Sequence, residues 1–155
     1  MNCTIGFEKI HPDAVIPTRS SELAAGYDFS IIRFEECDNK VLGFTGLKIA
    51  INPSYFMGLF VRSSSPTKGF QLSNAVGIID PDYRGEIIAQ FDIFNYNDME
   101  WLFHHRGITG KCSKHIDLPA RLIQGVVFPR VDVSWLEATL GETPRGSGGF
   151  GSSGH

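Results

Sequence analysis

The fourteen residues from Ser73 to Glu86, SNAVGIIDPDYRGE, hold the densest set of groups able to do chemistry. An apolar run ends in Asp80 and turns through Pro81, Asp82, Tyr83 and Arg84, setting a carboxylate and an aromatic ring at the mouth of a tight connection. A carboxylate held there can polarise water as a general base, although the commoner use of Asp in a turn is to satisfy its own backbone. Arg62-Ser63-Ser64-Ser65 follows another apolar run, and a guanidinium beside hydroxyls can hold phosphate oxygens. Such Arg-Ser pairs are also common on surfaces. Upstream, Ala24-Ala25-Gly26-Tyr27-Asp28 places an acid after small residues that permit close backbone approach, or simply marks the entry of a loop into a strand. The tail Arg145–Gly154, RGSGGFGSSG, has five glycines in ten residues and cannot form a helix or strand of its own. Its N–H groups can converge on phosphate oxygens, Arg145 can fork onto them and Phe150 can stack on a base. A flexible linker, an expression remnant ending in His155, and an Arg-Gly contact to single-stranded RNA also fit the tail.

These groups must be carried by strands. From residue 29 onward the main signal is apolar alternation in short runs punctuated by Gly, Pro, Asn and Asp, which predicts an all-β chain. The expected strands are Leu47–Ile51, Tyr55–Val61, Ala75–Ile79, Glu86–Phe94 and Leu122–Phe128. The clearest is Glu86–Phe94, where Ile87, Ala89, Phe91 and Ile93 share one face against Ile88, Gln90, Asp92 and Phe94. Between the third and fourth, Asp80–Gly85 has the Pro-Asp start and Gly end of a tight hairpin connection. Residues 95–120 break the rhythm with a polar stretch that carries three histidines and one candidate helical turn near Asp98–His105. A long loop or small excursion is expected there. Ser134–Leu140, with Ser134 and Glu137 as a weak capping box, is a second helical candidate.

A chain of 155 residues with 42% hydrophobic content suits one domain around one core, and eight prolines leave little room for long helices. The net charge of −3 supplies no global basic field, so direct DNA or RNA binding is not expected and any phosphate site must be local. No membrane span is expected, and the first twenty residues, with Glu8, Lys9, Asp13 and Arg19, lack the apolar stretch of a signal peptide. Cys3, Cys37 and Cys112 are odd in number and widely spaced, which fits a reducing, cytoplasmic compartment better than a disulfide framework.

In chain order, AAGYDF (24–29), RSSS (62–65), SNAVGIIDPDYRGEI (73–87), RLIQ (121–124) and RGSGGFGSSG (145–154) resemble the five ordered motifs of the trimeric dUTP diphosphatases, the dUTPases. The third and fifth motifs are the most specific, and the resemblance spans residues 24–154. It implies a distorted jelly-roll β-barrel that assembles as a homotrimer, with each active site built from three subunits. Residues 1–144 would form the β domain, and 145–155 a flexible C-terminal glycine-rich arm that closes over a neighbour's nucleotide.

The resemblance also assigns roles. Asp80 would orient and activate the attacking water; Asn74 and the backbone around Gly77 and Ile79 would read the uracil edge; Tyr83 would pack on the deoxyribose and exclude a 2′-hydroxyl. Arg62, Ser63 and Ser64 would anchor the triphosphate and Gln124 would touch the α-phosphate region. From the arm, Phe150 would cover the uracil while Arg145, Gly151, Ser152 and Ser153 take the γ-phosphate. Asp28 would hold waters on a Mg²⁺ ion bound mainly by the phosphates, the usual outer-shell manner of this ion. The implied reaction converts dUTP to dUMP and pyrophosphate, which limits uracil incorporation into DNA and supplies dUMP for thymidylate synthesis.

Two departures stand out. Pro119-Ala120 replaces the Gly-Asp that usually precedes Arg121 in the fourth motif, and the spacing from Glu86 to Arg121 is longer than the family's by roughly a dozen residues. The extra residues bring Trp101 and Phe103, a candidate contact for a protein partner, and Cys112 with His104, His105 and His115, whose irregular spacing and single thiol make a poor zinc site. The enzymatic rival is a dCTP deaminase or bifunctional homologue, which relies on a glutamate in the strand after the third motif; positions 88–92 contain none.

Overall fold

The computed structural model describes residues 3–37, 40–93 and 116–149. Among them the chain forms nine strands and a single 3-10 turn, Pro66–Lys68, with no α-helix. In order these are β1 (Gly6–Lys9), β2 (Tyr27–Ile31), β3 (Arg33–Cys37), β4 (Lys40–Ala50), β5 (Tyr55–Val61), β6 (Phe70–Leu72), β7 (Gly77–Ile79), β8 (Glu86–Ile93) and β9 (Ala120–Pro129). They pair antiparallel in two sheets, one ordered β1-β4-β8-β6 with β3 also on β4, the other β2-β9-β5-β7. Two antiparallel sheets closed over one core make the distorted jelly roll that the motifs imply.

The alternation in β8 is what builds the first sheet. Ile87, Ala89 and Phe91 point inward and are at most 1% exposed, while Ile88 and Gln90 face out. Phe91 meets Phe70 of β6 edge-on at 5.1 Å between ring centroids, and Phe34 of β3 stacks on Phe70 at 5.5 Å. From the second sheet Phe29, Met57, Leu59 and Leu122 close the core from the opposite side. Each such side chain contributes about 1.5–3 kcal/mol by leaving water, so the two sheets are held by area rather than by polar contacts.

β4 is longer than the expected Leu47–Ile51 because a bulge lets the strand pass through Gly46. Gly46 has φ +69°, and a Cβ there would sit 2.8 Å from Ile32 and 2.9 Å from His11, so only glycine turns the bulge without a clash. β5 has the expected limits, and β9 extends the expected Leu122–Phe128 by a few residues at its ends.

Three expectations need correction. Asp80–Gly85 is not a hairpin: β7 lies on β5 in the second sheet, and β8 lies between β4 and β6 in the first. The turn itself forms, with the Tyr83 N–H donating to the Asp80 carbonyl at 3.2 Å, but buried faces rather than turn residues choose each strand's partner. The expected strand Ala75–Ile79 starts only at Gly77, because Ala75 takes φ +59° and its N–H donates to Leu72. Ser134–Leu140 forms no helix. Trp135 is 95% and Leu136 88% exposed, and a helix this short with no face to bury is marginal in water. The helical turn near Asp98–His105 and the candidate zinc and partner residues lie outside the described residues.

Candidate active site

The third motif lines a cavity of about 370 Å³ between the sheets, walled by Asn74, Gly77, Ile79 and Tyr83 and floored by Leu59 and Ala89. Its rim is set by pairing: Gly77 lies opposite Leu59 and Ile79 opposite Met57 on β5, which leaves Asp80 exposed just past the end of β7. Tyr83 is fixed from several sides. Its hydroxyl donates to the Glu86 carbonyl at 3.0 Å, and its ring lies against Gly85. Arg84 clamps the turn by donating to the carbonyls of Pro81 at 2.7 Å and Tyr83 at 2.8 Å. The Glu86 carboxylate accepts the Gly46 N–H at 2.7 Å, tying the turn to the β4 bulge. Apolar walls with a few aimed polar groups are the usual make-up of a small-molecule pocket.

A second cluster sits where β5 ends beside β9. Arg62 leaves β5 with its N–H donating to Leu122, and its Nε donates to Asp28 Oδ1 at 2.7 Å. Asp28, on β2, is 7% exposed, and its other oxygen faces Arg121 Nη1 at 3.5 Å. Arg62 Nη1 also donates to the Arg121 carbonyl at 3.3 Å. Gln124 lies opposite both Asp28 and Phe60, and its amide donates to the Val61 carbonyl at 3.1 Å. Ser63 is exposed and Ser64 half-buried, while the Ser65 hydroxyl donates to Leu122 at 2.6 Å inside the core. Two guanidiniums and one carboxylate leave this cluster with net positive charge, suited to an anion.

Sequence reasoning therefore found both clusters, but missed Arg121 as a partner of Asp28 and Gly85 as the seat of Tyr83. Arg121 stood in the fourth motif without a role, and Gly85 read as a turn residue only. Arg145 is exposed and donates to Gly148 within its own segment, at 3.1 Å. Phe150, Gly151, Ser152 and Ser153 lie outside the described residues.

The two clusters do not meet within one chain. Arg62, just past the end of β5, is five residues from Met57, the partner of Ile79, so the phosphate-type cluster and the end of β7 that leads into Asp80 are separated by about 17 Å of chain. An all-β, jelly-roll protein with a nucleoside-sized pocket and a separate cationic cluster is the class these features define.

The match to known proteins narrows the class. The dUTPase family model matches residues 12–154, and the chain belongs to the dUTPase family. The deoxyuridine 5'-triphosphate nucleotidohydrolase of Wolinella succinogenes is 36% identical over 151 residues, covering 94% of this chain and 91% of that protein. A mutant dUTPase of Staphylococcus bacteriophage 80alpha, solved with dUpNHpp, shares the fold at TM-score 0.73 and 23% identity, over 98% of this chain and 99% of the other. A mutant dUTPase of phage phi11 of S. aureus, whose structure concerns the coordination of a structural Mg(II) ion, aligns at TM-score 0.65 and 18% identity, over 90% and 99%.

Proposed function

We propose that this protein hydrolyses dUTP to dUMP and pyrophosphate. The observation that carries the reading is the cavity of Asn74, Gly77, Ile79 and Tyr83, with the exposed Asp80 directly following Ile79 in the chain, in a member of this family. Uracil enters the cavity and is read by Asn74 and the backbone of Gly77 and Ile79, where hydrogen bonding and narrowness together reject other bases. Tyr83 packs on the deoxyribose. Asp80 takes a proton from water as the water oxygen bonds to the α-phosphorus; the bond from that phosphorus to the bridging oxygen breaks, and pyrophosphate leaves. Arg62, Ser63 and Ser64 hold the phosphates and Gln124 touches the α-phosphate region. Positioning and charge neutralisation supply most of the rate.

Mg²⁺ belongs to this reading as an ion that arrives on the triphosphate and neutralises its charge. No group of three His, Cys, Asp or Glu among the described residues is placed to hold a metal. An ion carried by the phosphates would need only an outer-shell contact from the protein, for which Asp28, the acid of the cationic cluster, is the candidate. Against the deaminase alternative, the Glu86 carboxylate is committed to the Gly46 N–H and lies 3.9 Å from Arg33.

The separation of the two clusters supports a site shared between subunits of a homotrimer. So does the exposed apolar segment after β9, where Val131, Val133, Trp135 and Leu136 are each at least 67% exposed. A solitary chain leaves that surface in water, and a neighbouring copy would cover it. Residues 1–144 then form the β domain, and the arm 145–155 closes over a neighbour's site, with Arg145, Gly151, Ser152 and Ser153 on the γ-phosphate and Phe150 on the uracil. A cytoplasmic, reducing location goes with this reading; Cys3 and Cys37 are free thiols, and no helix among the described residues is long and apolar enough to cross a membrane. Asp80→Asn tests the mechanism: turnover should fall at least about a hundredfold while dUpNHpp still binds, and near-normal hydrolysis would refute the role of Asp80.

A further inference from the structure

We infer that Asp28 is a positioning residue for Arg62, and that its carboxylate preorganises the phosphate grip before any metal arrives. The inference rests on the assignment of Arg62 as a phosphate ligand. Asp28 is 7% exposed, so its carboxylate is held among its neighbours rather than free in solvent. Its Oδ1 accepts the Arg62 Nε–H at 2.7 Å, and its Oδ2 faces Arg121 Nη1 at 3.5 Å. The Arg62 side chain, 24% exposed, is also held through Nη1 by the Arg121 carbonyl at 3.3 Å. With Nε and one N–H of Nη1 occupied, the remaining N–H groups of a rigid fork, which carry no hydrogen bond to the described residues, can turn to an anion. The backbone of Asp28 is equally fixed: its N–H donates to the Thr18 carbonyl at 2.7 Å, and it pairs with Gln124 across β2 and β9.

Charge and position make opposite predictions when no metal is present. Removing the negative charge raises the positive potential and should tighten anion binding; losing the acceptor lets Arg62 swing and should weaken it. The test is calorimetric binding of dUpNHpp in EDTA. Positioning predicts that Asp28→Ala binds at least about tenfold more weakly than wild type, and that Asp28→Asn, which keeps an oxygen for the Nε–H, recovers most of the loss. Asp28→Glu keeps the charge but displaces the carboxylate by one methylene; it should also lose about tenfold, and it carries the test if the alanine variant does not fold. Unchanged or tighter metal-free binding in Asp28→Ala and Asp28→Glu would overturn the inference, as would an effect confined to the Mg²⁺ concentration needed for half-maximal activity. Arg62→Ala is the control for the underlying reading: if it binds the analogue as wild type does, Arg62 is no phosphate ligand. If it alone loses binding, only the role of Asp28 fails.

Discussion

Replacing Gly85 by alanine should loosen the choice of sugar while leaving the fold nearly intact. A Cβ at this position would lie 2.3 Å from the Tyr83 hydroxyl oxygen and 2.5 Å from Cζ, against ordinary contacts of 3.4 Å or more. The ring must therefore move by about 1 Å or more. Tyr83 is 42% exposed, so the side chain can swing toward solvent instead of forcing the backbone. What is lost is mainly its 3.0 Å hydrogen bond to the Glu86 carbonyl, a net contribution of about 0.5–1.5 kcal/mol. For a chain of this size that lowers the melting midpoint by no more than about 6 °C. A ring displaced by about 1 Å no longer closes the space of a 2′-hydroxyl, and such a misplacement can cost up to about a hundredfold. The assay is kcat/KM for dUTP and for UTP, wild type beside Gly85→Ala. The ratio should fall about tenfold to a hundredfold, with the dUTP value changing less than the ratio. An unchanged ratio would refute Tyr83 as the sugar gate, and a much larger loss of stability would show that the backbone yielded rather than the ring.

A chain cut after Pro144 should form trimers and bind dUTP weakly, yet hydrolyse it poorly; full activity would reduce the arm to a linker. Trp135→Asp with Leu136→Asp should leave the β domain folded but shift the mass by light scattering from three chains toward one, because the exposed segment after β9 then cannot be buried in a neighbour. An unchanged trimer would place the interface elsewhere. Phe91→Ala, at a fully buried position against Phe70, should cost about 3–5 kcal/mol in a urea titration, and a smaller loss would mean the core collapses into the gap.

The sequence was most legible where a strand has one wet and one dry face. β8 follows from alternation, since Ile87, Ala89 and Phe91 can only face inward, whereas β5 follows from an unbroken apolar run bounded by Pro53-Ser54 and Arg62-Ser63. β1 was missed because all four residues of this edge strand are exposed and show no apolar face. β2 was missed for the opposite reason: Asp28 to Ile31 are all buried, so period two is absent. Both clusters of the site were legible as residue types, because phosphate and proton chemistry demand particular groups. Their relation was not. Turn residues at Asp80–Gly85 report a local reversal, whereas the departure of β7 and β8 into different sheets depends on faces distant in sequence. The Asp28–Arg62 pair joins residues 34 positions apart, and nothing local to either announces the other.

A paired assay on the purified protein with Mg²⁺, measuring pyrophosphate release from dUTP and ammonia release from dCTP in parallel, separates dUTP hydrolysis from deamination. A dUTPase yields stoichiometric pyrophosphate and dUMP from dUTP and no ammonia from dCTP. Ammonia from dCTP, or dUTP left intact, would rule out dUTP hydrolysis as the activity of this site.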